Sequence, residues 1–259
     1  MKAQTQGWAE WQLMEPLSSG ASGVVYRASR RGYPEDLSAV KIIDVPPDEE
    51  ETAELRREGM SEEQIRALYR RRTEQIVSGV RRMERFKGMS HLASAEDFRV
   101  EPSEDGLGSR VMIRMEYLKP LPAYLADKRM DEAETLQMGI ELCMALEILH
   151  RSGVIHGDVK PDNILVNDRL PFGVVFKLGD LDALREIGAE GGAASEGGTP
   201  SYLPPEVPEG RMPDERSDLY ALGLTLYQMV NGKRLPFLPD RQFSSHRDKV
   251  MAAQMRLSG

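Results

Sequence analysis

The stretch of sequence that decides the fold and the chemistry of this chain is His156–Val166, which reads HGDVKPDNILV. Within it, Asp158 can accept or orient a hydroxyl proton, and Lys160 can neutralise charge that develops on a transferred phosphoryl group. Asn163 can offer its amide oxygen to Mg²⁺, which prefers oxygen ligands. A polar surface loop does not require these residue types at these offsets, so the pattern predicts a catalytic loop for phosphoryl transfer.

A second acidic motif follows the catalytic stretch by about one strand length. Phe176–Asp182 reads FKLGDLD, a strand pattern that ends in acidic residues. We expect Asp180 to be a metal ligand beside Asn163, because carboxylate and amide oxygens suit Mg²⁺. Considered alone, the same motif is also typical of an acidic turn at the end of a strand.

Two segments upstream of the catalytic stretch have residues that are suited to binding a nucleotide. Leu17–Tyr26 reads LSSGASGVVY, and its Gly20 and Gly23 let the backbone approach an anionic ligand. An ordinary hairpin turn explains this segment equally well in isolation. Lys41 stands in the apolar strand pattern Ser38–Ile43, either as an edge-strand lysine with its charge in solvent or as a cation aimed at phosphate oxygens. Its distance downstream of the glycine turn fits a next-but-one strand, which favours the second interpretation.

The first part of the chain is predicted to be rich in strands. Short β-branched runs bounded by turn residues predict strands at 23–28, 38–43, 93–100 and 110–118. The charged stretch 48–86 predicts helix, with Ser61 as a plausible helix start.

The remainder of the chain is predicted to be mainly helical. Apolar residues recur at helical spacing in two segments and predict one buried face on each helix. The two faces comprise Leu136, Ile140, Cys143, Leu146 and Leu149, then Leu219, Leu222, Leu226, Met229 and Val230. The second helix is expected to stop at Asn231-Gly232. A boundary near Leu118–Pro120 therefore divides the chain into 1–118 and 119–259.

Composition narrows the classes of protein that fit. The chain has 259 residues, 40% apolar and 29% charged, which is typical of a globular protein. The net charge of −8 argues against a general nucleic-acid binder. A single cysteine, Cys143, excludes a disulfide framework, and no apolar run approaches the ~20 residues of a membrane span. The N-terminus lacks the apolar region of a signal peptide, so we expect a cytoplasmic protein without a membrane segment.

Taken together and in order, these segments resemble the protein kinase family, of the bacterial serine/threonine type, from about Trp11 to Leu238. The resemblance implies an α+β, bilobal fold: a small antiparallel β-sheet lobe (1–118) and a mostly helical lobe (119–259) that lacks its last helices. It also implies ATP-dependent, Mg²⁺-dependent transfer of phosphate to a protein serine or threonine. Lys160-Pro161 and the segment Gly198–Glu206 (GTPSYLPPE) are similar to the serine/threonine branch.

The resemblance also implies roles for individual residues. Lys41 would hold the α- and β-phosphates, Asp158 would be the catalytic base, and Lys160 would assist at the γ-phosphate. Asn163 and Asp180 would bind Mg²⁺. Thr199 is similar to the threonine that supports the catalytic loop and the substrate site.

A further group would bind adenine. Met115–Leu118 looks like the segment that joins the two lobes, with Met115 beside the base and the backbone of Glu116 and Leu118 hydrogen-bonded to it. The side chains that would sandwich the ring are those of Val25, Ala39 and Leu165. Gly20 and Gly23 would cover the phosphates.

Several positions depart from the family pattern. Ser18 stands where the first glycine of the loop is usual, and Gly157 replaces the arginine before the catalytic aspartate, which removes a group that grips a loop phosphate. Leu181 and Asp182 replace the Phe-Gly of the usual Asp-Phe-Gly. Asp182 adds negative charge near the predicted metal.

The helix glutamate that should pair with Lys41 is a further departure. Gly79 falls at the expected position, and Glu74 and Glu84 lie five residues away on either side, on a different helix face. Loss of that ion pair would leave Lys41 poorly positioned. A pseudokinase, which binds ATP without transferring phosphate, is therefore an alternative function.

Two other expectations remain open. A small-molecule phosphotransferase of the aminoglycoside or choline kinase kind shares the His-Gly-Asp start and an Asn five residues after the Asp. Family members also continue into further helices, one of which supplies an arginine for the glutamate corresponding to Glu206. Because an unpaired buried carboxylate is costly, we expect this sequence to be part of a longer chain. The pattern does not predict an oligomeric state.

Overall fold

The computed structural model describes residues 8–20, 23–171, 173–181, 184–188, 199–207, 210–238 and 245–258. The chain divides into two compact units. The first consists of Met1–Gly88 and Ala93–Leu118, and the second of Met89–Leu92 and Lys119–Gly259.

A five-stranded antiparallel sheet forms the centre of the first unit. Its strands lie in the order β1-β2-β3-β5-β4, and four of them occur where β-branched runs predict them. The strands are β1 (Trp11–Gly20), β2 (Gly23–Arg30), β3 (Tyr33–Val45), β4 (Ala95–Pro102) and β5 (Ser109–Glu116).

The register of the sheet shows which side chains lie on each of its two faces. Val25 lies opposite Lys41, which lies opposite Ile113, so these three side chains share one face. The other face carries a buried apolar cluster of Trp8, Ala28, Val40, Ile42 and Met112.

Trp8 also donates its indole N–H to the carboxylate of Asp97 at 2.6 Å, which satisfies the only polar atom of its side chain.

Two helices occupy the charged stretch, where the sequence predicted helix throughout. α1 (Glu49–Arg57) begins at Asp48, whose carboxylate accepts the Glu51 N–H, and α2 (Glu62–Glu84) begins at Ser61. Ser61 and Gln64 bond to each other's backbone in a capping box, which confirms Ser61 as a helix start. The break between the helices contains Gly59, whose φ of +89° lies in the left-handed region that favours glycine.

The second unit contains most of the helix and two small sheets. β6 (Lys119–Pro120) pairs with β8, β8 pairs with β9, and β7 pairs with β10. Met89–Leu92 belongs to this unit, and the backbone carbonyl of His91 accepts the Leu178 N–H at 2.9 Å. The other strands are β7 (Val154–Ile155), β8 (Ile164–Leu170), β9 (Gly173–Leu178) and β10 (Arg185–Glu186). The helices are α3 (Leu121–Tyr124), α4 (Glu132–Arg151), α5 (Glu215–Val230) and α6 (His246–Ser258), with 3-10 turns at Pro161–Asn163 and Pro200–Tyr202.

The apolar face predicted for α4 was partly wrong. Leu146 and Leu149 are buried, but Leu136 is 67% exposed, Ile140 is 52% exposed, and Cys143 is also exposed. Other apolar residues, among them Met138 and Leu142, take the buried side. Because α4 carries apolar residues on more than one side, helical spacing alone does not select the core face.

The exposed apolar residues of α4 line a groove of about 850 Å³ beside α5. On α5, Leu222 is buried as predicted, whereas Leu219 and Val230 are exposed. The helix ends at the predicted place, with Asn231 as its C-cap. None of the helices in the described ranges is both long and apolar enough to cross a membrane.

Candidate active site

The glycine turn of the first unit closes the β1–β2 hairpin. Gly20 pairs with Gly23 across the two strands, and the two residues between them lie outside the described ranges. Gly23 has φ +109°, and a Cβ there would meet the Ile42 carbonyl oxygen at 2.3 Å. Conformation and space both require glycine at this position.

Lys41 is buried, with 7% of its surface exposed, at the middle of β3. Ala39 lies two residues earlier on the same strand and therefore on the same face, together with Val25 of β2. Met115 lies opposite Ala39. The first unit thus brings the predicted phosphate cation and two predicted adenine contacts to one face of the sheet.

The segment predicted to bind adenine through its backbone begins at the end of β5. Glu116 is the last residue of the strand and pairs with Ser38, whose hydroxyl donates to the Met115 carbonyl at 2.7 Å. Leu118 is buried and is the last residue of the first unit. Leu165 lies on β8 in the second unit, where its side chain is close to Gly179.

Gly79 is a buried residue of α2, as its predicted position requires. Glu74 and Glu84 are exposed, so they do lie on a different face of the helix. A Cβ at Gly79 would have only the Arg82 guanidinium within 4 Å. The helix therefore presents no carboxylate of its own at this buried position.

In the second unit, the Asp158 carboxylate is the centre of a hydrogen-bond network. Lys160 Nζ donates to its Oδ2 at 2.6 Å, and the Asn163 amide donates to the same oxygen at 3.0 Å. The Thr199 N–H and hydroxyl both donate to Oδ1 at 2.9 Å, and Lys160 also reaches the Thr199 hydroxyl at 2.7 Å. Four residues that are up to 41 positions apart in sequence thus converge on one another.

The network decides the protonation state of Asp158. Partial burial acts to raise the pKa of the carboxyl, but the Lys160 ammonium and the hydrogen bonds from Thr199 and Asn163 outweigh burial. The pKa of Asp158 is therefore lowered from its ordinary value. At neutral pH the side chain is an ionised carboxylate that can accept a proton.

Asn163 and Asp180 are neighbours through the backbone. The Gly179 N–H donates to the Asn163 carbonyl at 2.8 Å, which places the start of the next residue, Asp180, beside the catalytic loop. Asp180 is exposed and has φ +54°, a strained conformation for a non-glycine residue that is often found at functional sites. Asp182 lies outside the described residues.

The described residues contain no group of three or more His, Cys, Asp or Glu side chains that could hold a metal ion. The predicted pair of Asn163 and Asp180 is smaller than such a group. A pair is nevertheless typical of Mg²⁺, which usually takes one or two protein carboxylates and completes its shell with substrate phosphates and water.

His156 connects the catalytic loop to the strand that ends at Gly179. Its Nε2 lies 2.8 Å from the Gly179 carbonyl, which can only accept, so Nε2 carries a proton. Nδ1 accepts the Asp158 N–H at 3.2 Å and is therefore unprotonated. The sequence did not indicate this role for His156, because its carbonyl partner lies 23 residues later in the chain.

Asp218, in the first turn of α5, was given no role by the sequence. It is 1% exposed, and its carboxylate accepts the N–H groups of His156 and Gly157, both at 2.8 Å. His150 Nε2 lies 2.9 Å from the same carboxylate. Gly157 has φ +78°, which suits glycine. The first turn of α5 thus fixes the backbone immediately before Asp158.

The predicted lack of a partner for Glu206 is resolved within the described chain. The Ser217 hydroxyl donates to the Glu206 carboxylate at 2.7 Å, and Glu206 is only half-buried. Water and this hydroxyl together can solvate the carboxylate, so the cost expected for a fully buried, unpaired charge does not arise.

Comparison with known protein families decides the family of the chain. The protein kinase domain matches residues 11–257. The chain belongs to the protein kinase family. The antiparallel sheet of the first unit and the helices of the second agree with that fold, as the resemblance predicted.

Known relatives of this kinase domain are themselves named as serine/threonine kinases. Serine/threonine-protein kinase PKZ1 of Phytophthora infestans is 29% identical over 243 residues, covering 88% of this chain and 55% of that protein. Serine/threonine-protein kinase PknK of Mycobacterium bovis is 30% identical over 232 residues, covering 86% and 18%. Serine/threonine-protein kinase nekl-2 of Caenorhabditis elegans is 36% identical over 103 residues, covering 40% and 28%. The chain spans about half or less of the length of each of these relatives.

Asp218→Asn is expected to lower the free energy of unfolding of this kinase domain by about 2 kcal/mol or more. An amide has one acceptor oxygen, so its NH₂ group would face a backbone N–H of His156 or Gly157 and leave it unsatisfied. Urea unfolding would measure the change. Glu147→Gln is the control, because Glu147 is exposed on α4 and pairs only with Arg151 among the described ion pairs. Equal unfolding midpoints for the two variants would contradict the role of Asp218.

Proposed function

We propose that this chain transfers the γ-phosphate of ATP to a serine or threonine hydroxyl of a protein substrate, with Mg²⁺. The observation that supports the proposal most is the ionised Asp158 carboxylate, held at once by Lys160, Asn163 and Thr199. An acid that is ionised, oriented and next to a cation suits a reaction that removes a hydroxyl proton while negative charge develops on phosphate.

In the proposed reaction, the acceptor hydroxyl oxygen forms a bond to the γ-phosphorus while the bond to the ADP oxygen breaks. Asp158 orients the hydroxyl and accepts its proton, for which the lowered pKa keeps it ionised. Lys160 stabilises the negative charge of the phosphoryl group in transfer. Thr199 fixes both side chains, since it bonds to each of them.

Mg²⁺ fits the residues that the sequence assigned to it. Both hydrogens of the Asn163 side chain point to Asp158, because the amide nitrogen donates to the Asp158 carbonyl oxygen at 2.8 Å and to Oδ2 at 3.0 Å. The amide oxygen is therefore the atom that remains for a cation, and the Asp180 carboxylate would be the second ligand. When bound, Mg²⁺ would neutralise charge on the phosphates of ATP.

The other proposed contacts are with the nucleotide. Lys41 would hold the α- and β-phosphates, and Gly20 and Gly23 would let the hairpin backbone approach the phosphates. The proposed adenine contacts are Val25, Ala39 and Leu165 through their side chains, and Glu116 and Leu118 through their backbone. Since Val25, Ala39 and Lys41 share one face of the sheet, the register supports this assignment.

Two features support a protein substrate over a small alcohol. The relatives with extensive coverage are named serine/threonine-protein kinases, and the Thr199 segment that follows Gly198 lies directly against the proposed base. We also propose a reducing, cytoplasmic setting, because the sequence carries a single cysteine.

The test is transfer of label from γ-labelled ATP to a generic basic protein by the purified chain. We expect label on serine and threonine after acid hydrolysis, and we expect a chelator to reduce transfer to background until Mg²⁺ is restored. Label found only on a small alcohol would contradict the proposal in favour of a small-molecule phosphotransferase. ATP binding without transfer to any acceptor would contradict it in favour of a pseudokinase.

A further inference from the structure

The 3-10 turn Pro200–Tyr202 is fixed to three separate parts of the second unit. At its start, Thr199 is bonded to Asp158 of the catalytic loop. At its end, the Tyr202 hydroxyl donates to Gln228 of α5 at 2.6 Å. In the middle, the Ser201 carbonyl accepts a hydrogen bond from Arg256 of α6 at 2.7 Å.

Arg256 makes two backbone contacts through its guanidinium. Nη2 donates to the Ser201 carbonyl, and Nη1 donates to the Pro236 carbonyl at 3.3 Å. Pro236 lies between α5 and α6, so one side chain joins the turn, the inter-helix segment and the last described helix. A planar guanidinium can make both bonds at once, and its charge strengthens each of them.

The pKa of the Tyr202 phenol also depends on the groups that surround the turn. Burial raises the pKa of the Tyr202 phenol, the nearby Asp162 carboxylate raises it further, and Arg256 acts in the opposite direction. Because its pKa is raised, Tyr202 is protonated at neutral pH and donates to Gln228. The turn is held by a neutral hydrogen bond on the α5 side and by a charged one on the α6 side.

The position of the turn bears on where the acceptor hydroxyl can bind. A hydroxyl that reacts must come within hydrogen-bond reach of Asp158, and Thr199 covers one oxygen of that carboxylate. Through Thr199, the residues that follow it in the chain, Pro200–Tyr202, are joined to the carboxylate that the hydroxyl must reach. Arg256 contacts those residues but, among the described contacts, neither Asp158 nor Lys160.

We propose that Arg256 is a positioning residue that lets α6 hold the Pro200–Tyr202 turn in the conformation that receives the protein acceptor. The inference rests on the proposed function, since it assigns the acceptor side of that site. It predicts a selective effect, because the turn orders the protein acceptor and makes no proposed contact with ATP.

The test compares Arg256→Met with Arg247→Met, the same substitution at an exposed position of the same helix. Arg256→Met removes the hydrogen bonds to both Ser201 and Pro236, and loss of the bond to the turn is expected to raise KM for the protein substrate about tenfold. The KM for ATP is expected to stay within about twofold, which corresponds to a small free-energy difference. Arg256→Lys keeps the charge but not the two-point geometry, and is expected to give an intermediate KM for the protein.

Hydrogen exchange supplies a readout that does not depend on activity. The Tyr202 N–H donates to the Thr199 carbonyl at 2.8 Å, and its exchange should be faster in Arg256→Met than in the wild type or Arg247→Met. Equal rises in KM for ATP and protein, an unchanged KM for protein, or unchanged exchange at Tyr202 would each overturn the inference. If Arg256→Met fails to fold, the same criteria apply to Arg256→Lys. A wild type that phosphorylates no protein would instead refute the proposed function, and the exchange comparison would still decide whether Arg256 orders the turn.

Discussion

Asp158→Asn is expected to reduce kcat for phosphate transfer to protein about 10²- to 10⁴-fold, the range that general-base catalysis contributes. The amide cannot accept the hydroxyl proton. Its NH₂ group would also face the donors of Lys160 and Thr199, which point at the Asp158 carboxylate in the wild type. The KM for ATP should change little, because Asp158 has no proposed contact with the nucleotide. Label transfer at saturating ATP measures the effect.

Asp168→Asn provides the matched control for this substitution. Asp168 lies in the same unit, is exposed, and pairs with Lys119 on the surface, where an ion pair contributes little. The activity of the Asp168→Asn protein should equal that of the wild type. Circular dichroism and melting would establish that both variants fold, and full activity in a folded Asp158→Asn protein would reject the role of Asp158.

The pKa of Asp158 also makes a prediction about pH. Because it is lowered below its ordinary value of about 4, the ionised form is retained as pH falls and is lost only below that value. Activity that depends on Asp158 is therefore present above about pH 4, so kcat/KM should show no loss from this group between pH 5 and 9. An acid limb centred above pH 5 that disappears in Asp158→Asn would contradict this account.

The convergence of residues within one local motif was the feature that the sequence predicted best. Asp158, Lys160 and Asn163 lie within six residues, so the spacing alone brings them to one loop, and the hydrogen bonds among them follow from that proximity. Ser61 was predicted for a similar reason, since a capping box depends only on residues three positions apart.

Contacts between distant residues were not predictable from spacing. Asp218 lies about 60 positions after the backbone groups it fixes, and the spacing within a motif does not show a contact at that distance. Leu136 and Ile140 were assigned to the core because they recur at helical spacing. Their exposure depends on which side of α4 the neighbouring elements occupy, which the periodicity of one helix does not contain.

The largest effect on stability is expected for Gly108→Ala, in the turn immediately before β5 in the first unit. A Cβ at Gly108 would lie 1.8 Å from the Val45 carbonyl oxygen and 2.9 Å from Pro46 Cδ, so the backbone of β3 must move. Val45 belongs to a buried cluster with Ile65, Tyr69 and Leu107, and displacement would disturb that core. Overpacking of this kind should cost about 3 kcal/mol in the free energy of unfolding, measured by urea denaturation.

Two alanine substitutions separate steric conflict from the general effect of removing a glycine. Gly106→Ala, in the same turn, has no atom within 4 Å but a φ of +68°, so it should cost only the ~1–2 kcal/mol of a left-handed backbone. Gly223→Ala, inside α5 with nothing within 4 Å, should stabilise by about 0.5–1 kcal/mol, because alanine favours helix. The expected order of stability is therefore Gly223→Ala, wild type, Gly106→Ala and Gly108→Ala. A Gly108→Ala protein as stable as the wild type would show that β3 and the turn before β5 do not approach each other as closely as described, because a methyl group cannot fit in 1.8 Å.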